Sequence, residues 1–155
     1  MEILRIYVDT SVLGGCFDPE FAPWSLALMR DFRAGRLIPV LSDVTAAEVV
    51  EAPERIRELH QELVGLAGSV LPVTETAIEL AVAYEQRKIL PRKFVADMRH
   101  IALATIAEVH ALVSWNFRHI VKLEKIRLFN AVNVERGYRP LQILSPREVA
   151  SDEGS

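Results

Sequence analysis

Three carboxylates and one carboxamide stand where side chains can do chemistry. Asp9 ends a short apolar run from Leu4 to Val8. Glu48 lies in the first turns after a second run, Leu37 to Leu41. Asp97 comes near the start of a long helical stretch, and Asn116 follows Ser114-Trp115 at the end of another apolar run. Oxygen donors, without a cysteine or histidine pair at zinc spacing, suit Mg²⁺ or Mn²⁺ rather than zinc. Hard cations held by few protein oxygens keep several waters, the form in which phosphodiesters are hydrolysed. Each residue also has a plainer reading. Asp9 and Asn116 are types that cap helices. Glu48 can be an exposed helix glutamate. Asp97 suits a helix N-terminus on charge alone.

The elements that must position these groups can be read from apolar runs, caps and breakers. Strands are predicted at Leu4 to Val8, Leu37 to Leu41, Gly68 to Val73, His110 to Ser114 and Leu141 to Leu144. Asp9-Thr10-Ser11 reads as a turn and cap cluster. Helices are predicted from Pro23 to Gly35, and over Thr45 to Val50 behind a Ser42 or Asp43 cap. Others are expected from Pro53 to about Leu66, from the Thr74 cap to about Lys88, from about Arg92 to Val109, and from Asn116 to about Val134. Strands alternating with helices imply an α/β fold, with parallel β-α units and helices on both faces of the sheet. Ligands of such sheets bind beyond the carboxyl ends of the strands. That rule lets Asp9, Glu48 and Asn116 face one crevice. Asp97 shares a helix face with His100, Ile101 and Ala104, a face expected to pack on the sheet.

Composition narrows the class. The 155 residues suit one domain, here 1–149 with a flexible tail at 150–155. Apolar residues make up 50% and charged residues 25%, as in soluble globular proteins. No apolar run approaches the roughly 20 residues of a membrane span. The start, Met1-Glu2-Ile3-Leu4-Arg5, reads as the approach to a strand rather than a signal peptide. Cys16 is the single cysteine, so no intrachain disulfide forms, and a cytoplasmic setting is expected. Cys16 itself reads as apolar filler.

The net charge of −3 argues against a general polyanion binder. Its distribution is uneven. Residues 1–83 carry 6 Lys/Arg against 13 Asp/Glu, and residues 84–139 carry 11 against 5. An acidic half can hold cations while a basic half holds phosphates, although two solvated faces would carry the same charges.

In order along the chain, Tyr7-Val8-Asp9-Thr10-Ser11-Val12-Leu13, Ala47-Glu48-Val49, Asp97-Met98-Arg99-His100-Ile101-Ala102-Leu103-Ala104 and Leu112-Val113-Ser114-Trp115-Asn116-Phe117-Arg118-His119-Ile120 resemble the motifs of the PIN-domain family. Asn130-Ala131-Val132-Asn133, Gly137-Tyr138 and Ile143-Leu144-Ser145-Pro146 resemble its bacterial VapC-like toxin branch. The resemblance spans residues 3 to about 149. It implies a three-layer α/β/α fold with a mainly parallel five-stranded sheet. It also implies a metal-dependent ribonuclease with Asp9, Glu48 and Asp97 as acidic site residues. The family's fourth acidic position falls on Asn116, which removes one negative charge and bears on a second metal.

From these residues together with the resemblance we expect an Mg²⁺- or Mn²⁺-dependent endoribonuclease with Asp9, Glu48, Asp97 and Asn116 at the metal. Thr10, Ser11, Arg99, His100, Arg118 and His119 are expected around the RNA, with Lys122 and Lys125 as further phosphate contacts. Thr10 and Ser11 can equally cap the following turn, and either histidine can be structural. Trp115 can stack on a base or pack as core. The expected partners are RNA, a small antitoxin and a second copy of the chain, for which Trp24-Leu26-Leu28-Met29 offers apolar surface unless it is core. The alternative is a non-catalytic PIN-like module that binds RNA or protein. An aspartyl phosphatase would want a second Asp where Ser11 stands.

Overall fold

The structure, a computed structural model, describes residues 2–67 and 70–151. Five strands form one sheet: β1 (Leu4–Val8), β2 (Leu37–Ser42), β3 (Val70–Leu71), β4 (Ala111–Val113) and β5 (Ile143–Leu144). Their order is β3-β2-β1-β4-β5, and all four pairings are parallel. Gly68 and Ser69, expected to begin the third strand, lie outside the described residues.

Among the described residues, eight α-helices connect and cover the sheet: α1 (Thr10–Gly15), α2 (Ala22–Arg33), α3 (Asp43–Val49), α4 (Glu54–Ala67), α5 (Glu75–Gln86), α6 (Val95–Ile106), α7 (Leu123–Glu135) and α8 (Pro146–Val149). Strand periodicity sorts β1 between two cores. Tyr7 packs with Leu112 and with the helix residues Leu80, Tyr84, Ile101 and Phe129. Ile6 and Val8 pack on the other face with Val12, Leu28, Phe32 and Leu63. Each of these side chains contributes about 1.5–3 kcal/mol by leaving water. The result is the expected three-layer α/β/α arrangement.

Local chemistry sets most boundaries. Ser42 caps α3 by accepting from the Val44 N–H, and Thr74 caps α5 by accepting from the Ala77 N–H. Pro39 stands in β2 where β3 does not reach, since β3 pairs only with Leu41 and Ser42. A proline is tolerated in a strand with one side unpaired. Cys16 is buried, and burial pushes its thiol up to about 11, in keeping with a filler role.

Three local expectations need correction. Thr10 to Gly15 is a short helix rather than a turn. The stretch from Arg92 begins as a 3-10 turn, Arg92–Phe94, and becomes α-helical only at Val95. Asn116 does not begin a helix, because its side chain closes a tight turn and α7 starts at Leu123. Of the expected tail, residues 152–155 lie outside the described residues. Ser151 donates its N–H to Asp31 Oδ2 at 2.9 Å.

Candidate metal centre at the switch point of the sheet

The chain leaves β1 in one direction, to β2 and β3, and returns to lay β4 on the other side of β1. The reversal makes a crevice beyond the carboxyl ends of β1 and β4, the place where open parallel sheets bind ligands. Val8 is in register with Val113. The next residues on the two strands, Asp9 and Ser114, therefore meet at the crevice floor.

Asp9 occupies the capping position of α1, yet its side chain makes no capping bond. Its carboxylate is held otherwise. Ser11 Oγ donates to Oδ1 at 2.6 Å, and Ser114 Oγ donates to Oδ2 at 2.6 Å. Each hydroxyl is itself oriented by a main-chain donor. The Trp115 N–H reaches Ser11 Oγ at 2.9 Å, and the Asn116 N–H reaches Ser114 Oγ at 2.9 Å. Asp9 is only 4% exposed. Burial raises its carboxyl above the usual range and Asp97 adds to this, while His100 and the two serines pull the other way.

Glu48 reaches the crevice from α3. Its Oε1 accepts from Thr10 Oγ1 at 2.7 Å and meets His100 Nε2 at 2.6 Å. His100 is buried on α6, with Nδ1 at 2.7 Å from the Tyr7 hydroxyl, which also lies 2.6 Å from Ser42 Oγ. A carboxylate can only accept, so Nε2 donates to Glu48, while Nδ1 and the Tyr7 hydroxyl share the second bond. Burial alone would raise the Glu48 carboxyl, but His100 and Thr10 more than offset it and hold it low.

Asp97 lies in the first turn of α6, with its helix face on the core through Ile101 and Ala104, as expected. Its Oδ2 stands 3.1 Å from His119 Nδ1 and 3.4 Å from Asn116 Nδ2. The Phe94 ring packs against His119 with centroids 3.9 Å apart. Burial raises the Asp97 carboxyl, His119 and His100 oppose this, and Glu48 adds to it. Asn116 Oδ1 accepts from the N–H groups of Arg118 and His119 at 3.2 and 2.9 Å. Those donors fix the amide orientation, so Asn116 turns its NH₂ toward Asp97. In this arrangement it gives the crevice a donor rather than a fourth oxygen.

The expected acids thus meet at one end of the sheet and feel one another's charge. Among the described residues, no three His, Cys, Asp or Glu side chains stand close enough together to enclose a metal ion. The donor set still fits Mg²⁺ or Mn²⁺ in kind, because such ions are held by one or two carboxylates with water and phosphate completing the shell.

The surrounding residues divide. Ser11 serves Asp9, whereas Thr10 serves Glu48. Arg118 is exposed. Arg99 is half-buried, and its Nε has no hydrogen-bond partner among the described residues. Lys125 is drawn into the fold, donating to the Ile89 carbonyl at 2.8 Å. Trp115 is 6% exposed, stacked on Phe21 at 4.3 Å and bonded through Nε1 to Ser25 Oγ, so it packs as core. Leu28 and Met29 are also core. Sequence reasoning missed Ser114, Tyr7 and Ser42. The one available signal was a small hydroxyl residue ending the strand before Trp115-Asn116.

No protein-family model matches the sequence, and no curated protein does. Solved structures do match. A chain of the FitAcB crystal structure from Neisseria gonorrhoeae superposes with a TM-score of 0.57 at 16% identity, covering 92% of this chain and 98% of that one. For VapBC2 from Rickettsia felis, bound to a DNA fragment from its promoter, the TM-score is 0.56 at 11% identity, with coverages of 92% and 98%. For FitAB bound to IR36 DNA it is 0.56 at 14% identity, with coverages of 91% and 94%. Among the described residues, no helix is long and apolar enough to cross a membrane. With its five-stranded parallel sheet and nearly full-length superposition, the chain shares the fold of these FitAB and VapBC chains, the PIN-like α/β/α fold expected from the sequence.

Proposed function

We propose that the chain is a metal-dependent endoribonuclease and the toxin of a toxin–antitoxin pair. The observation that carries this reading is the convergence of Asp9, Glu48 and Asp97 at the switch point of the sheet, each held by hydrogen bonds. Raised carboxyls on Asp9 and Asp97 support it: burial is the main cause of both shifts, and a cation beside them would offset the cost of holding buried negative charge. Mg²⁺ or Mn²⁺ bound there would supply Lewis-acid stabilisation of the phosphoryl oxygens and lower the pKa of attacking water.

The protein's part is positioning. Asp9 and Asp97 would hold the cation. Ser11 and Ser114 fix both oxygens of Asp9, His100 fixes Glu48, and His119 with Asn116 fixes Asp97. Arg118 and Arg99 suit phosphate contacts beside the crevice. The likeness to chains from FitAB and VapBC complexes supports an antitoxin as protein partner.

RNA cleavage with Mg²⁺ or Mn²⁺ by the wild type and by Asp9→Ala tests the reading. Cleavage by the wild type alone is expected. Equal activity in both, or none in the wild type with either metal, overturns it.

A second reading rests on Asn116. Its amide nitrogen, turned toward Asp97, withholds the fourth oxygen and favours a non-catalytic RNA- or protein-binding module. Calorimetric titration with Mn²⁺ separates the two, because a module without a working site takes up no metal in this crevice.

A further inference from the structure

Trp115 is the residue of the crevice loop most suited by type to stack on a base, but it is buried beneath Phe21 and tied to Ser25. The ring left facing solvent there is Phe117, 48% exposed. Phe117 stands edge-on to Trp115 with centroids 6.0 Å apart and tilted to Phe21 at 6.5 Å. Three rings therefore form a slab whose inner members are fixed and whose outermost member meets water.

The backbone under Phe117 is also fixed. Its N–H donates to the Trp115 carbonyl at 2.9 Å, and Asn116 Oδ1 holds the next two N–H groups. The Ile120 and Val121 N–H groups both return to the Asn116 carbonyl. Phe117 follows Asn116, which touches Asp97, and precedes the exposed Arg118. Phe17, the other exposed aromatic among the described residues, already has Arg55 over its ring at 4.8 Å. An exposed apolar ring needs no special explanation by itself. A rigidly held one, between a residue touching the acidic crevice and an exposed cation, is placed as a nucleic-acid platform.

We infer that Phe117 is the stacking platform for an unpaired nucleobase next to the phosphate that enters the crevice, with Arg118 as the accompanying phosphate contact. This rests on the ribonuclease reading and deepens it. It calls for RNA that is unpaired and unstacked at the site, because a base inside a helix has both faces covered by its stacked neighbours. It also makes Phe117 a positioning residue that acts on binding without touching the reacting atoms.

The test compares wild type, Phe117→Ala, Phe117→Leu and Phe117→Trp on a short single-stranded RNA containing one 2-aminopurine. Cleavage is followed with Mn²⁺, and binding is read separately from quenching of the 2-aminopurine. Phe117→Ala should raise KM about tenfold, the effect of losing one stacked base, with kcat changed far less. Phe117→Trp should restore both KM and quenching, and Phe117→Leu should restore neither. Thermal melts identify any variant that fails to fold, and the Leu and Trp variants then decide.

Wild-type KM and quenching in Phe117→Ala would overturn the inference while leaving the nuclease reading in place. Full recovery by Phe117→Leu would overturn it in favour of a plain apolar contact, such as a protein partner would make. Quenching by the wild type without cleavage would sink the nuclease reading and keep the platform. Neither quenching nor cleavage would sink both.

Discussion

Ser114 donates its hydroxyl to Asp9 Oδ2 at 2.6 Å from a position 105 residues further along the chain. The bond joins the ends of two neighbouring strands and leaves the Asp9 carboxylate buried, oriented and short of positive charge. The behaviour of the crevice follows from that state.

Asp9→Asn keeps the shape of the side chain and removes a buried charge that Asp97 opposes. Serine hydroxyls can donate or accept, so both contacts can survive. The metal-free variant should gain about 0.5–2 kcal/mol in urea unfolding. Added Mn²⁺ should raise the wild-type unfolding midpoint by mass action and leave the variant unmoved. A metal-free variant less stable than the wild type would count against a cost of burying the Asp9 charge.

Asn116→Asp exchanges the NH₂ group facing Asp97 for a carboxylate oxygen, while the other oxygen still caps Arg118 and His119. Without metal, the new like-charge contact should cost about 0.5–2 kcal/mol, the ordinary range of single substitutions. Titration with Mn²⁺ should reveal an additional binding event absent from the wild type. An unchanged isotherm would show that position 116 does not reach the metal.

Gly15→Ala tests the packing beneath the crevice loop. A Cβ on residue 15 would stand 2.6 Å from Trp115 Nε1 and 2.6 Å from Ser25 Oγ. Overpacking of this kind costs about 1–3 kcal/mol. The displaced Trp115 should shift the intrinsic tryptophan emission and loosen Phe117 with it. Unaltered emission and stability would mean that the indole moves aside without loss.

Asp31 gives the fold a pH dependence remote from the crevice. It is 1% exposed, with Arg36 Nε at 2.8 Å and the Ser151 N–H at 2.9 Å. Burial alone would raise its carboxyl, but Ser151 and Arg36 more than offset this and hold it below the usual range. The folded chain therefore binds the proton less readily than the unfolded one. The stabilisation is present above about pH 4, the ordinary aspartate value, and is lost as pH falls through the lowered folded value. Asp31→Asn should cost about 1–3 kcal/mol at neutral pH. Its deficit against the wild type should shrink in denaturant series taken progressively below pH 4.

Much of this arrangement is legible in the amino-acid sequence. Four strands start or end within a residue or two of the limits set by apolar runs and breakers, and Asp9, Glu48 and Asp97 fall at element ends where a crevice forms. The third strand covers only part of its predicted span, since Val70–Leu71 is all that pairs. What escaped detection depended on tertiary context. Thr10 to Gly15, with two glycines in six residues, is too short to show a helical period, and it is held by Val12 and Leu13 packing on the sheet. Ser114 looks like any polar residue ending a strand until β4 is known to lie beside β1, and local pattern does not determine strand order. The apolar residues at 117, 120 and 121 imitate a helix, whereas the Asn116 side chain claims the N–H groups of 118 and 119 and makes a turn. Tyr7 reads as one more strand residue, because nothing local reveals that its hydroxyl meets His100.

The order of the strands also governs when the crevice comes into being. Asp9 and Glu48 are made early, but β4 and the 114–119 loop come more than a hundred residues after Asp9, and β1 cannot have its second neighbour until then. A nascent chain still short of residue 119 therefore has an unguarded edge on β1, with Asp9 lacking its Ser114 partner and Asp97 lacking His119. The centre closes only with the last third of the polypeptide. Translation itself thus delays the moment at which Asp9, Glu48 and Asp97 are all held in place.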